Sequence, residues 1–173
     1  MRRRLRGRTA AALLIGLIVA IGAADGLATP RAVLLVEDLT RHRVLYRREV
    51  TAGSLLRLSY VHSSEHVPVL GTFVLESDGL LVKETAFAGF GPGLPEPKAG
   101  DAWRREGGMI VAGGGGQRLD ELRVRVAPFT RHRLRAPSGE ELDLSALMSD
   151  GGSVRISVSA PRPAGAAPPD RRP

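Results

Sequence analysis

The chain has 173 residues, with 25 Lys+Arg against 18 Asp+Glu and a formal charge of +7, a balance that first suggests a nucleic-acid binder. The charge is uneven, however: Arg2, Arg3, Arg4, Arg6 and Arg8 open the chain and Arg162, Arg171 and Arg172 close it, leaving 17 basic and 16 acidic residues between Thr29 and Ser159, a net of +1. So neutral a body excludes nucleic acid as a partner, the absence of cysteine excludes disulfides, thiolate catalysis and Cys-ligated zinc, and 43% hydrophobic residues exclude a disordered chain.

Behind the opening arginines lies an uncharged apolar run, residues 10–24, followed by Asp25 and Gly26. This is the layout of a secretory signal. As a helix the run reaches only about 22 Å at ~1.5 Å per residue, short of a ~30 Å hydrocarbon core. Gly22 and Ala24, or Gly26 and Ala28, supply the small residues of a cleavage site. The alternative is an uncleaved anchor extended by Leu27 and Ala28, through which the protein meets the membrane. Both place the arginines on the cytoplasmic side and export the rest, to the periplasm or the extracytoplasmic face of the inner membrane. Residues 1–28 are therefore expected to be signal or anchor, 29–159 the folded domain, and 160–173 a disordered tail rich in Pro, Ala and Arg.

Past Pro30 the pattern has period two in short Val- and Leu-rich runs broken by Gly, Pro and Asp-Gly. It predicts strands over 32–37, 44–49, 55–62, 69–76, 80–87, 109–112, 122–127, 131–136 and 154–159. The plainest is Leu122, Val124 and Val126 alternating with Arg123 and Arg125, one face inward and one to water. Ser77-Asp78-Gly79 predicts a hairpin over 69–87, and Gly107-Gly108 and Ser138-Gly139 mark two further turns. The helical signal is confined to 143–148, where Asp143 caps a single turn. The expected fold class is all-β, a single-domain β-sandwich, with a small β-barrel as the alternative.

Two segments interrupt the strands. Residues 63–67 form a polar link after Tyr60 and His62. Residues 88–100 contain four Gly and three Pro, and read as a crossover from one sheet to the other, with a ligand-approaching turn at Gly91-Pro92-Gly93-Leu94-Pro95 as the other possibility. Neither this segment nor the glycine run 113–116 is a phosphate loop, since no Gly-Lys-Ser/Thr follows.

Tyr60, His62, Ser63, Glu65, Pro68 and Val69, then Glu84-Thr85, Phe90-Gly91 with Gly93-Leu94-Pro95, and Arg131-His132 with Leu134 together resemble the bacterial domain of unknown function 1850, over roughly 33–158. Members of that family are small exported or membrane-anchored proteins, often encoded beside tripartite (TRAP) transporters of the TAXI type. The resemblance implies a setting and a partner, a TRAP transporter component, and carries over no catalytic residue.

The chemistry-bearing residues gather around the interruptions. Leu56, Leu58, Tyr60 and His62 share an inward strand face, placing His62 at its rim with Glu65 three residues on. His132 shares a face with Leu134. The expected ligand or partner site comprises Tyr60, His62, Ser63, Glu65, Glu84, Phe90, Gly91, Gly93, Leu94, Pro95, Arg131 and His132. His62, Glu65 and His132 have the ligand types of a transition-metal site, but a rim His and a Glu that satisfy each other form an ordinary loop staple. His42 and His66 read as exposed loop residues. Ser63 and Ser64 lie in no Gly-x-Ser-x-Gly elbow, and 4% aromatic content supplies no stacking platform. Trp103, the single tryptophan, reads as partly buried beneath the long loop. The expectation is a non-enzymatic accessory module without a cofactor that binds a partner or a small organic ligand. The alternative is a metal-dependent or hydrolytic enzyme using His62, Glu65 and His132.

Overall fold

The computed structural model describes residues 30–96 and 102–161; the expected signal or anchor and nearly all of the expected tail lie outside them. Among the described residues no helix is long and apolar enough to cross a membrane.

Alternation builds the first layer. In β1 (Arg31–Asp38) Ala32, Leu34 and Val36 turn inward, and in β12 (Gly152–Ser159) Val154, Ile156 and Val158 do the same. These two pair antiparallel at the centre of a four-stranded sheet, with β2 (Arg43–Thr51) on one edge and β9 (Glu121–Val126) on the other. The tight link from β1 to β2 is set by Asp38, whose buried carboxylate accepts from the backbone N–H groups of Thr40 and Arg41, both at 3.0 Å, and from the guanidiniums of Arg41 and Arg43. Burial alone would raise the Asp38 pKa, but these donors outweigh it and hold the carboxyl below its usual range.

The second layer is an eight-stranded sheet. Its main path runs β11 (Glu141–Asp143), β10 (Arg133–Arg135), β3 (Leu55–Val61), β4 (Pro68–Leu75), β5 (Leu80–Phe87), β7 (Met109–Gly113) and β6 (Trp103–Glu106), while β8 (Arg118–Leu119) pairs with β5. The hairpin expected over 69–87 is β4 with β5, and the expected helical turn is α1 (Leu144–Leu147), capped by Asp143, which accepts from Ala146 N–H at 2.9 Å. Both sheets have free ends, so the architecture is an open sandwich and not the barrel held as the alternative.

Three expectations are corrected. Segment 88–100 is not a crossover between sheets, because β5 and β6 belong to the same sheet and flank β7. The strand expected from residue 131 begins at Arg133; Arg131 is left-handed, with φ +48°, and ends a 3-10 turn over Pro128–Thr130. The strand expected to reach His62 ends at Val61.

The sheets are unequal in width, and this places the site. Between them lies the main core, which includes Leu34, Leu56, Leu75, Leu80, Met148 and Ile156. A second cluster of Val69, Phe87, Leu94, Ile110 and Ala112 lies beyond the narrow sheet, and Leu94 of the β5–β6 connection roofs it. Tyr60 packs against both clusters.

Candidate functional site

Between the edge of the narrow sheet and the β5–β6 connection, the inner face of the wide sheet carries an open cavity of about 590 Å³. Leu58, Tyr60 and Val61 of β3, Val69, Gly71 and Phe73 of β4 and Thr85 of β5 contribute from the wide sheet, Leu122, Val124 and Arg125 from the β9 edge, and Pro92 and Gly93 from the β5–β6 connection. His62, Ser63, Thr130 and His132 complete the lining. The volume falls within the ~300–1,000 Å³ of small-molecule sites, and the mostly apolar lining with a few polar groups is also typical of them.

His62 fastens the rim. Its Nδ1 accepts from the backbone N–H of Glu65 at 3.3 Å, which leaves the proton on Nε2 to donate to the Pro92 carbonyl at 3.0 Å. The imidazole thus clasps the β3–β4 loop to the β5–β6 connection. A staple is present, but its partners differ from the expected ones: the Glu65 carboxylate accepts from Ser64 Oγ at 3.2 Å and does not meet the imidazole. Gly91 is a close-approach position here, since a Cβ on it would lie 2.3 Å from Glu65 Cγ.

His132 is 4% exposed and stacks on Tyr60, with ring centroids 4.9 Å apart and planes 8° from parallel. Thr130 Oγ1 donates to the Ala127 carbonyl at 2.6 Å, so toward His132 it can only accept, and the 2.7 Å contact is Nδ1–H donating to Thr130. The remaining nitrogen, Nε2, keeps its lone pair and has no polar partner among the described residues. The backbone of this residue is equally held: its N–H donates to Ser145 Oγ at 2.8 Å and its carbonyl accepts from Leu144 N–H at 2.9 Å. Burial pushes the imidazole pKa down from 6.5 to about 4 and raises that of Tyr60. At neutral pH His132 is a neutral acceptor.

Of the residues expected at the site, Tyr60, His62, Ser63, Gly93 and His132 line the cavity, with Pro92 inside the expected loop. Glu65 and Gly91 support its rim, and Leu94 roofs the neighbouring cluster. The structure does not bring the others together with them. Glu84 sits opposite Thr72 and accepts from Arg104 at 2.9 Å, Arg131 is exposed beyond the 3-10 turn, and Phe90 lies against Trp103 at a separate groove of about 330 Å³. Pro95 does not line the cavity either. The structure does not group His62, Glu65 and His132 as the metal alternative expects. Among the described residues no three His, Cys, Asp or Glu side chains are placed to hold a metal: His62 Nε2 faces the Pro92 carbonyl, its Nδ1 faces the Glu65 N–H and Ser64 Oγ, and the Glu65 carboxylate faces Ser64. His42 and His66 are exposed, and Trp103 is half-buried with its ring edge-on to Phe87.

Sequence reasoning missed Thr130, Ser145, Thr85 and the β9 wall as parts of this site. Leu122 and Val124 had a signal, the inward half of a clean alternation facing the Tyr60 strand. Thr130 had none, because a 3-10 turn of three residues has no period.

Fold and site together define a class, an all-β two-sheet sandwich with a ligand-sized cavity at the edge of its narrower sheet. A family model described as a domain of unknown function, DUF1850, matches residues 56–144, just over half of the chain, and the protein belongs to that family. The match runs from β3 into α1 and contains every residue that lines the cavity. No curated protein and no solved structure matches the chain.

Proposed function

We propose that this protein is an exported, non-enzymatic binding module that holds a small organic ligand between its sheets and works beside a TRAP-type solute transporter on the extracytoplasmic face of the membrane. The ligand half of this reading is carried by one observation, the cavity of about 590 Å³ with its polar wall of Tyr60, His62 and His132. The narrower sheet does not cover this region, and His62 keeps the rim in place by joining two loops. Support for the transporter half comes from family membership and its resemblance-based setting, and support for export from the arginine-flanked apolar run at 10–24.

The test uses the full-length chain. Its melting temperature is measured against a panel of small organic solutes, and solute uptake is compared in cells with and without the gene. A ligand at 100 times its Kd stabilises the folded state by about 2.7 kcal/mol, a readily measured rise. If no solute raises the melting temperature and uptake is unchanged without the protein, the reading is wrong.

A further inference from the structure

The polar wall of the cavity is incomplete in a way that specifies what completes it. His132 is 4% exposed, its Nδ1–H is committed to Thr130, and its Nε2 has no polar partner among the described residues. The hydroxyl of Tyr60, on the ring stacked against it, has none there either. Nε2 is not sealed in the core, since Glu76 Oε2 is the buried side-chain atom without a hydrogen-bond partner among the described residues; it opens onto the cavity, and a ligand that covers it must offer a donor or leave a buried acceptor unmatched. The surrounding lining is apolar, from Leu58, Val69, Phe73, Leu122 and Val124, and contains no Asp or Glu.

Resting on the ligand-binding reading above, we infer that the cavity selects a small uncharged molecule with an apolar body and a hydroxyl group, the hydroxyl donating to His132 Nε2 while the Tyr60 hydroxyl makes a second contact. The tautomer decides the polarity. With the proton on Nδ1, Nε2 presents only a lone pair, and a carboxylate oxygen placed there would set lone pair against lone pair. The low basicity of the buried ring opposes the imidazolium that would change this. A cationic ligand would be stripped of water with no carboxylate in the lining to compensate it. Arg125 is the charged residue of the lining, and it is exposed on the β9 edge, where water screens its pull on an anion. Thr130 acts as a positioning residue, since it fixes which nitrogen accepts.

The experiment titrates the full-length protein, carrying 15N-labelled histidine and 13C-labelled methyl groups, with benzyl alcohol, benzyl methyl ether and benzoate. The three share a ring and differ in the group offered to His132. The inference expects benzyl alcohol to shift the His132 Nε2 resonance upfield together with the methyl signals of Leu122 and Val124, and to bind roughly ten-fold more tightly than the ether, the factor typical of one unmatched buried acceptor. Equal affinity for alcohol and ether, tighter binding of benzoate, or methyl shifts without a change at Nε2 would overturn the inference and leave a ligand cavity standing. No response of the cavity methyls to any of the three would overturn the cavity reading as well.

Discussion

His62 and His132 carry their protons on opposite ring nitrogens, and the difference follows from the neighbours of each. A backbone N–H reaches His62 Nδ1, so its proton sits on Nε2 and goes to Pro92; a hydroxyl whose own proton is committed to Ala127 reaches His132 Nδ1, so that nitrogen must be the donor. The consequence for His132 is measurable. Its folded pKa of about 4 lies below the ordinary 6.5, so the unfolded chain takes up the proton first as the solution is acidified. The stability associated with the neutral ring is fully present above about pH 6.5 and is lost as pH falls toward 4, up to on the order of 3 kcal/mol. Asp38 acts in a separate window: its pKa is lowered from 3.8, so its contribution is present above that value and is lost only below it. Urea unfolding between pH 7 and 4.5 is therefore expected to show a steep loss for the natural protein and a shallower one for His132→Gln. Parallel curves for the two would show that His132 is not the group responsible.

At the scale of elements, the glycine run 113–116 has a structural explanation. It links β7 to β8, and both of those strands pair with β5. The register of β4 on β5 shifts between Thr72 and Phe73, a bulge that leaves Lys83 without a partner on β4, and the run and the residue after it pack on its other side: Gly114 N–H donates to the Lys83 carbonyl at 2.9 Å and Gln117 O accepts from Val82 N–H at 2.8 Å. A Cβ on Gly114 would fall 1.9 Å from the Val82 carbonyl oxygen, which is backbone and cannot rotate away, whereas Gly115 has φ +59° and nothing within 4 Å. Gly114→Ala is expected to cost about 3 kcal/mol by overpacking and Gly115→Ala about 1 kcal/mol, the left-handed penalty alone. Urea midpoints in the reverse order would refute the packing argument. Most strands were legible in the sequence because each buries one face, as 80–87 and 109–112 do within a residue of the observed bounds. β6, β8 and β11 were not, because two to four residues carry too little alternation; Trp-Arg-Arg-Glu in particular shows no period while it pairs along β7. For the site, the Tyr60-to-Ser63 wall and His132 were legible as polar residues ending inward apolar faces. The grouping of Glu84 and Arg131 with them was not reliable, because a β-bulge and a left-handed residue change local direction without changing the residue types that a pattern counts.

At the scale of the whole molecule, the cavity is a consequence of two sheets of unequal width. A four-stranded sheet cannot cover the inner face of an eight-stranded one, and the chain covers part of the remainder with the β5–β6 connection, anchored by Leu94 on Phe87 and Val69. The gap between β9 and that connection is bounded by Leu122 and Val124 on one side and Pro92 and Gly93 on the other. If ligand binding uses this gap, filling it should abolish binding without harming the fold, since the added atoms enter empty space and not a packed core. Val124 suits the test: it is half-buried, on an edge strand, and lines the cavity. Val124→Phe adds apolar surface there and is expected to leave the unliganded protein as stable as before or up to about 1 kcal/mol more so. The same variant should lose the ligand-dependent rise in melting temperature shown by the natural protein. A variant that keeps that rise would move the ligand away from the inter-sheet gap, and the remaining grooved surface among the described residues that carries exposed aromatic area is the Phe90–Trp103 groove beside β6. A control change there, Phe90→Ala, is expected to leave ligand stabilisation intact, because the Phe90 side chain is half exposed and does not line the cavity. The two variants together decide between the inter-sheet gap and the Phe90–Trp103 groove, and the unequal width of the sheets requires the gap.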